Sequence, residues 1–116
     1  MRILVVEDEP LLAMLLEECL AELGHEVAGS AANVDQAMAT IDAVALDLAL
    51  LDFTLADDAT SVPVAIRLRA AGIPFAYLTG HRSLPLGGEV PVAPILTKPF
   101  TLNQLDDALR AVRLAA

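Results

Sequence analysis

Five polar residues of this chain could do chemistry together, and each follows a short apolar run. They are Glu7, Asp8, Asp52, Thr79 and Lys98. Carboxylate oxygens are the ligands that Mg²⁺ prefers, and a cation removes the repulsion between converging acids. A carboxylate beside such a cation can attack a phosphoryl group, while a hydroxyl and an ammonium stabilise the charge on the phosphoryl oxygens. These residue types therefore indicate a metal-assisted phosphoryl site.

Each of these residues also has a plainer interpretation when it is taken alone. The run Glu7-Asp8-Glu9 could be a solvated helix start, where acids favour the helix dipole. Asp52 could be a turn residue at a strand end, Thr79 a turn former before Gly80, and Lys98 a surface lysine. The joint pattern, in which every residue follows an apolar run, favours one shared site over four unrelated ones.

The elements that would position these residues follow from the spacing of apolar residues. The predicted strands cover residues 2–6, 25–30, 47–51, 73–78 and 93–96. The predicted helices run from Pro10 to Gly24, from Asn33 to about Asp42, from Ser61 to Ala71, and from Thr101 onward. Strands that alternate with helices predict an α/β fold with a parallel sheet and helices on both faces. Ligands bind at the carboxyl ends of the strands in such sheets.

Helix boundaries carry their own signals. Asn33 and Thr101 are each followed three residues later by a glutamine, which is the capping-box pattern. Ser61 is a candidate N-cap for the third helix, and Gly72 is its predicted stop. Residues 80–94 interrupt the alternation, because three prolines and two adjacent glycines replace the expected helix. We predict that this stretch is mostly loop and that the helix is short or missing.

Bulk composition limits the classes of function. The chain has 116 residues and a net charge of −9, so we expect one domain whose partners are proteins rather than nucleic acid or membrane. The single cysteine, Cys19, excludes an internal disulfide and suits a cytoplasmic protein. No apolar run approaches the roughly 18 residues of a membrane span. We expect a single domain over residues 1–116, with no output domain and no signal peptide.

The ordered set of motifs resembles the receiver domain of two-component response regulators. Val5-Val6-Glu7-Asp8-Glu9-Pro10 is similar to the acidic opening of receivers, and Leu50-Leu51-Asp52 to their phosphoacceptor strand. Thr79-Gly80 is similar to the switch hydroxyl, and Lys98-Pro99-Phe100 to the lysine followed by a proline that is often cis. The resemblance implies a flavodoxin-like fold, a doubly wound five-stranded parallel sheet of order 2-1-3-4-5.

The same resemblance implies a role for each residue. Asp52 would accept a phosphoryl group from a histidine kinase or a histidine phosphotransfer protein, with Thr79 and Lys98 contacting that group. Asp8, Asp52 and the backbone carbonyl of Thr54 would hold Mg²⁺, with Glu7 acting through water. The protein would then be a switch that signals to a downstream protein, still unknown, rather than a metabolic enzyme.

Some positions depart from the usual receiver pattern. Ala56 and Thr60 stand where receivers usually have a proline and a glycine, and Ile95 stands where many have an aromatic residue. Residues 61–65, 72–75 and 79–81 resemble a branch of stand-alone receivers common in alphaproteobacteria, some tied to stress signalling. The receiver resemblance also implies that His81 and Thr54 flank the phosphoryl group and affect its lifetime, and a solvent-facing loop histidine explains His81 equally well.

Two other interpretations remain open. A phosphatase of the haloacid dehalogenase type also combines aspartate, threonine, lysine and Mg²⁺. It would carry a second aspartate two residues after the nucleophile, where this chain has Thr54. The other interpretation is a receiver-like module that binds proteins without being phosphorylated, although all the acceptor residues are present.

Overall fold

Strands and helices alternate along the chain as the apolar runs predict. The computed structural model describes residues 1–80 and 84–115. The strands are β1 (Arg2–Val6), β2 (Glu26–Ala31), β3 (Leu48–Asp52), β4 (Phe75–Thr79) and β5 (Ile95–Thr97). The helices in the described part are α1 (Pro10–Glu22), α2 (Val34–Ala43), α3 (Val62–Ala71) and α4 (Leu102–Ala115). No helix among them is long and apolar enough to cross a membrane.

All five strands join one parallel sheet in the order β2-β1-β3-β4-β5, which confirms the predicted topology. Register places Val6 opposite Leu51, and Thr79 opposite Thr97. The carboxyl ends of β1, β3, β4 and β5 therefore lie side by side at one edge. This is the edge at which open parallel sheets bind ligands.

Each face of the sheet has its own hydrophobic core, so helices cover both faces as predicted. On one face, α2 and α3 cover buried residues that include Leu4, Leu51 and Tyr77. On the other face, α1 and α4 contribute buried leucines such as Leu20 and Leu105. Side chains of successive strand residues point to opposite faces, which is why one strand serves both cores.

Two of the three predicted helix caps form. The amide of Gln36 donates to the Asn33 side chain over 2.8 Å. Thr101 and Gln104 bond reciprocally, over 2.8 and 3.1 Å. The prediction for Ser61 is wrong in its chemistry: the residue precedes α3, but its hydroxyl caps no backbone amide. Its ψ of 10° departs from the extended conformation that aims a cap side chain at the helix.

Strand boundaries on the β4 side differ from the prediction by two residues. β4 begins at Phe75 rather than Ile73, and β5 begins at Ile95 rather than Ala93. Register explains the shift, since the ladder with β3 starts where Ala49 meets Phe75. Apolar character marks a run as buried, but only pairing decides where a strand starts.

Residues 84–94, which we call the 84–94 segment, contain no helix, as the prolines and glycines predict. A tight turn links Gly87 and Val90 through two backbone hydrogen bonds of 2.8 and 3.1 Å. Gly87 has a φ of 103°, a conformation that strains residues with a side chain. Leu84 and Leu86 pack on the core that α2 and α3 cover. The segment therefore covers the sheet where a helix would otherwise lie.

Candidate functional site

Three carboxylates converge at the carboxyl edge of the sheet. Glu7 and Asp8 directly follow β1, and Asp52 is the last residue of β3, the strand paired with β1. One oxygen from each of the three residues lies within 4.8 Å of the others. Glu7 and Asp52 are buried, and Asp8 is half-buried. The structure thus brings together the carboxylates that the sequence predicted would share a site.

Lys98 bonds to two of these carboxylates from the end of β5, which is two strands away from β3. It follows β5, and its side chain reaches past β4 to the end of β3. Its Nζ donates to Glu7 Oε2 and to Asp52 Oδ2, each over 3.1 Å. The backbone amide of Glu9 donates to Glu7 Oε1 over 3.3 Å. The peptide bond between Lys98 and Pro99 is cis, as in the family pattern that the sequence resembles.

Burial and charge in this site shift the pKa values of Glu7 and Lys98. Burial raises the pKa of Glu7, and the hydrogen bond with Asp52 and its charge act in the same direction against the opposing effect of Lys98. Burial alone would lower the pKa of Lys98, but the hydrogen bonds and charges of Asp52 and Glu7 outweigh it and raise that pKa. One ammonium therefore compensates two buried acids only in part.

Thr79 lies at the same edge. It is the last residue of β4, its side chain is buried, and its backbone carbonyl accepts a hydrogen bond of 2.7 Å from the Lys98 amide. Thr54 lies two residues beyond Asp52, and an isolated antiparallel bridge links it to Thr60. The roles of Thr79 and of the Thr54 carbonyl stay predictions. His81 lies outside the described residues.

The donor set fits a hard divalent cation. Glu7, Asp8 and Asp52 offer oxygen ligands alone, and their convergence would be costly without a cation because Lys98 supplies a single positive charge. Mg²⁺ binds through one or two carboxylates and keeps several waters, so three nearby acids suffice. Asp8, the most exposed of the three, makes no ion pair with a described residue and is the carboxylate most open to an ion.

One residue near this site was not predicted from the sequence. Tyr77 is fully buried in β4, two residues before Thr79, and its hydroxyl donates to the Pro91 carbonyl over 2.7 Å. Its ring makes edge-to-face contacts with Phe53 and Phe75, each at 5.5 Å between centroids. The available signal was a tyrosine in an otherwise apolar strand, since a buried hydroxyl needs a partner.

Known proteins match this chain in sequence and in fold. The model of the response regulator receiver domain family matches residues 3–110. The transcriptional regulatory protein TcrA of Mycobacterium tuberculosis is 36% identical over 115 residues, which cover 96% of this chain and 45% of TcrA. The solution structure of SdrG from Sphingomonas melonis is 38% identical, with a TM-score of 0.84, and the match covers 97% of this chain and 95% of SdrG.

A third match, the response regulator PhyR from Brucella abortus, is 30% identical with a TM-score of 0.83. The match covers 98% of this chain but 48% of PhyR. The chain therefore spans about half the length of TcrA and of PhyR, and nearly all of SdrG. The site geometry, the strand order and these matches agree with the resemblance seen in the motifs. The chain belongs to the response regulator receiver domain family.

Proposed function

We propose that this receiver accepts a phosphoryl group on Asp52 from a histidine kinase or a histidine phosphotransfer protein, and then signals through contacts with a downstream protein. One observation carries the proposal: Asp52 lies at the end of a buried strand, within reach of Lys98 and of the carboxylates Glu7 and Asp8. These are the groups that phosphoryl transfer to a carboxylate needs. A cytoplasmic location, expected from composition, belongs to the same proposal.

The transfer step can be written for the groups present. A carboxylate oxygen of Asp52 attacks the phosphorus of the donor's phosphohistidine, and a new P–O bond forms as the P–N bond breaks. The electron pair of that bond stays on the imidazole nitrogen, and Asp52 becomes an acyl phosphate. Lys98, 3.1 Å from Asp52, is placed to pair with a phosphoryl oxygen, and the Thr79 hydroxyl is the proposed donor to another.

Glu7, Asp8, Asp52 and the Thr54 carbonyl are the groups that would hold Mg²⁺. When bound, the cation neutralises charge on the carboxylates and on the phosphoryl oxygens. The burial of Glu7 and Asp52 keeps the acceptor carboxylate largely away from bulk water. The same burial makes the pairing with Lys98 stronger than it would be in water.

An exposed apolar face on α1 lies beside this site and suits a helical phosphodonor. Leu11, Met14 and Leu15 are 71%, 52% and 55% exposed, although they lie within two turns of Asp8. Contiguous exposed apolar residues mark interaction sites on soluble domains. We propose that the helix that carries the donor histidine packs on this face, which would bring the phosphohistidine over Asp52.

Labelling with a small donor tests the acceptor directly. Incubation with acetyl phosphate and Mg²⁺ should add the mass of one phosphoryl group, as read by intact mass spectrometry. Asp52→Asn should abolish that added mass, while Asp57→Asn, a change at an exposed acid in the loop after β3, should leave it. Labelling that persists in Asp52→Asn would show that another residue is the acceptor. No labelling of the wild type would favour the protein-binding module without phosphorylation.

Transfer from a protein donor tests the α1 face separately. Leu15→Lys should slow transfer from phosphorylated histidine kinases of the same organism, while labelling by acetyl phosphate stays at the wild-type rate. Ile66→Lys is the matched control, because Ile66 is 49% exposed on α3, which covers the opposite face of the sheet from α1. Equal transfer to wild type and Leu15→Lys would rule out the α1 face as the docking surface.

A further inference from the structure

A cavity of about 350 Å³ opens where β4 begins, at the amino edge of the sheet and opposite to the edge that holds Asp52. Its walls are mostly apolar and include Ile73, Phe75 and Val92. Among the described residues that line it, Arg69 of α3 is the only charged one, and none is acidic. Concave, mostly apolar pockets with a small number of polar groups are typical of sites that bind small molecules. The carboxylate cluster does not use this cavity.

Arg69 brings a positive charge to the cavity that no carboxylate in the described part of the chain neutralises. Three other arginines do pair with acids, namely Arg2, Arg67 and Arg110. The Nη2 of Arg69 instead donates to the Val92 carbonyl over 2.5 Å, and its guanidinium carbon lies 5.5 Å from the centroid of the Phe75 ring. A guanidinium has five N–H donors, so these contacts orient the group and leave donors for an anion.

The backbone amide of Phe75 is a second donor at the cavity, and it has no backbone partner among the described residues. The ladder with β5 begins only at Tyr77, whose amide donates to the Pro94 carbonyl over 2.9 Å. Because backbone groups alternate along a strand, the Phe75 amide faces the same side. The same register would bring it to the Val92 carbonyl, which accepts from Arg69 instead. Phe75 is only 3% exposed, and a buried amide needs an acceptor.

We infer that this cavity binds a small organic acid that has one carboxylate and an apolar body. The carboxylate accepts from the guanidinium of Arg69 and from the Phe75 amide, and the body packs between Ile73 and Val92. One positive charge balances one carboxylate, whereas a phosphate ester would leave excess negative charge on a chain whose net charge is already −9. The site does not depend on the carboxylate cluster, so Asp52→Asn should retain it.

Titration of the full ¹⁵N-labelled chain with free acids tests this inference. The probes are 3-phenylpropanoate, 4-methylpentanoate and indole-3-acetate, each compared with its neutral primary amide and with acetate at constant pH and ionic strength. At least one of the acids should shift the backbone amide resonances of Phe75 and Ala93 and slow their hydrogen exchange. Its primary amide should bind about tenfold more weakly, because it lacks the charge. Acetate should also bind more weakly, because it lacks the apolar body.

Matched variants identify the groups that bind the acid. Arg69→Gln should weaken binding about tenfold, while Arg67→Gln, on the same helix but paired with Asp42, should not. Val92→Asp should abolish binding, because the chain then supplies its own carboxylate to Arg69. Val92 is 63% exposed, so the fold tolerates this change. Leu12→Asp is its control, since it adds the same charge at an exposed position on α1, which covers the other face of the sheet.

Four outcomes would overturn the inference. One is that none of the three acids shifts the Phe75 amide. Another is that acetate or the primary amides bind as tightly as the acids, which would mean that the cavity does not recognise an apolar carboxylate. The third is equal affinity of wild type and Arg69→Gln, and the last is a set of shifts confined to α1 or to the carboxylate cluster. If acetyl phosphate labelling fails while an acid still binds at Phe75, only the proposed phosphorylation is wrong.

Discussion

At the scale of residues, the site consists of two buried carboxylates that are both hydrogen-bonded to the ammonium of one lysine. Lys98 contacts Glu7 and Asp52 at equal distances of 3.1 Å, so a single positive charge is shared by both. The raised pKa of Glu7 shows that this sharing does not fully offset burial. The site is therefore prepared for a further positive charge, which agrees with a divalent cation next to Asp8.

The first prediction concerns Glu7→Gln without Mg²⁺, in the presence of a chelator. A carboxyl group whose folded pKa is raised contributes stability that is fully present below its unfolded pKa, about 4.5, and is lost as pH rises through the folded pKa. Glutamine does not titrate. The free energy of unfolding of Glu7→Gln should therefore increase relative to that of wild type as pH rises from about 4 to 7. Urea denaturation at several pH values measures this difference.

Glu22→Gln is the control for that experiment, since Glu22 is an exposed glutamate at the end of α1. Its difference from wild type should change little over the same range of pH. A Glu7→Gln difference that is flat with pH, or that falls as pH rises, would contradict the electrostatic account. Addition of Mg²⁺ should reduce the advantage of the variant, because the cation favours the ionised carboxylate.

The second prediction concerns Ser61, the one buried side chain in the described residues whose polar atom has no hydrogen-bond partner. Burial of an unpaired hydroxyl costs about 1–3 kcal/mol, so Ser61→Ala should leave the free energy of unfolding unchanged or raise it by about 1 kcal/mol. Thermal denaturation followed by circular dichroism measures it. Ser30→Ala, at an exposed position in β2, is the control. A loss of stability specific to Ser61→Ala would show that the hydroxyl has a partner, such as a buried water.

At the scale of elements, the 84–94 segment replaces a helix and is held at a few points. Tyr77 bonds to the Pro91 carbonyl, and Arg69 donates to the Val92 carbonyl over 2.5 Å. Prolines and glycines disfavour a helix by roughly 3 and 1 kcal/mol per interior residue, so regular backbone bonding cannot stabilise this stretch. Elements with few such bonds change conformation for a small free-energy input.

The third prediction is that activation reorganises this segment. Beryllofluoride with Mg²⁺ should change the hydrogen exchange of residues 84–94 more than that of α2, because the segment connects the strand of Thr79 to Lys98. Exchange measured by mass spectrometry before and after activation tests this. Strong protection of the segment before activation, or a change confined to another face, would contradict it. The Asp52→Asn chain provides the control for effects of the reagent.

The fourth prediction isolates the bond between Tyr77 and Pro91. Burial raises the pKa of Tyr77 to about 12, so its hydroxyl remains a donor at neutral pH. Tyr77→Phe keeps the ring contacts with Phe53 and Phe75 and removes only the hydroxyl. Stability should fall by about 1 kcal/mol, and the amides of Leu86 and Val90 should exchange faster. If those amides exchange at the wild-type rate, the bond does not hold the segment in place.

At the scale of the whole molecule, the site exists only because the sheet is assembled. Glu7 and Asp8 are more than 40 residues away from Asp52 along the chain, and Lys98 lies a further 46 residues on. Parallel pairing of β1 with β3, of β3 with β4 and of β4 with β5 brings these residues to one edge. Any ligand of this site therefore binds the folded chain in preference to the unfolded one.

The fifth prediction follows from that coupling. Mg²⁺ at ten times its dissociation constant should stabilise the folded chain by about 1.4 kcal/mol and raise the temperature of unfolding. Asp8→Asn should reduce the shift, and Asp57→Asn, which changes an acid outside the cluster, should not. Differential scanning calorimetry across a Mg²⁺ titration measures it. Equal shifts for wild type and Asp8→Asn would place the ion elsewhere.

The sequence alone determined the order of the elements, the strand topology through the family resemblance, and the residues that meet at the sheet edge. Apolar runs and capping boxes report local preferences, and these agree with the fold at Asn33 and Thr101. The positions of Glu7, Asp52 and Lys98 after apolar runs were sufficient to predict that they share a site, because parallel strands end at one edge.

Only the tertiary structure decided which apolar residues are buried and which polar ones are paired. Leu16 and Leu20 of α1 face the core, whereas Leu11 and Leu15 on the same helix are exposed. All four leucines recur at helical spacing in the sequence, and only docking of α1 onto the sheet distinguishes them. The bond between Tyr77 and Pro91 likewise depends on where the 84–94 segment lies, which no local pattern contains. Local sequence sets which elements form, while contacts between distant parts of the chain set which surfaces remain for partners.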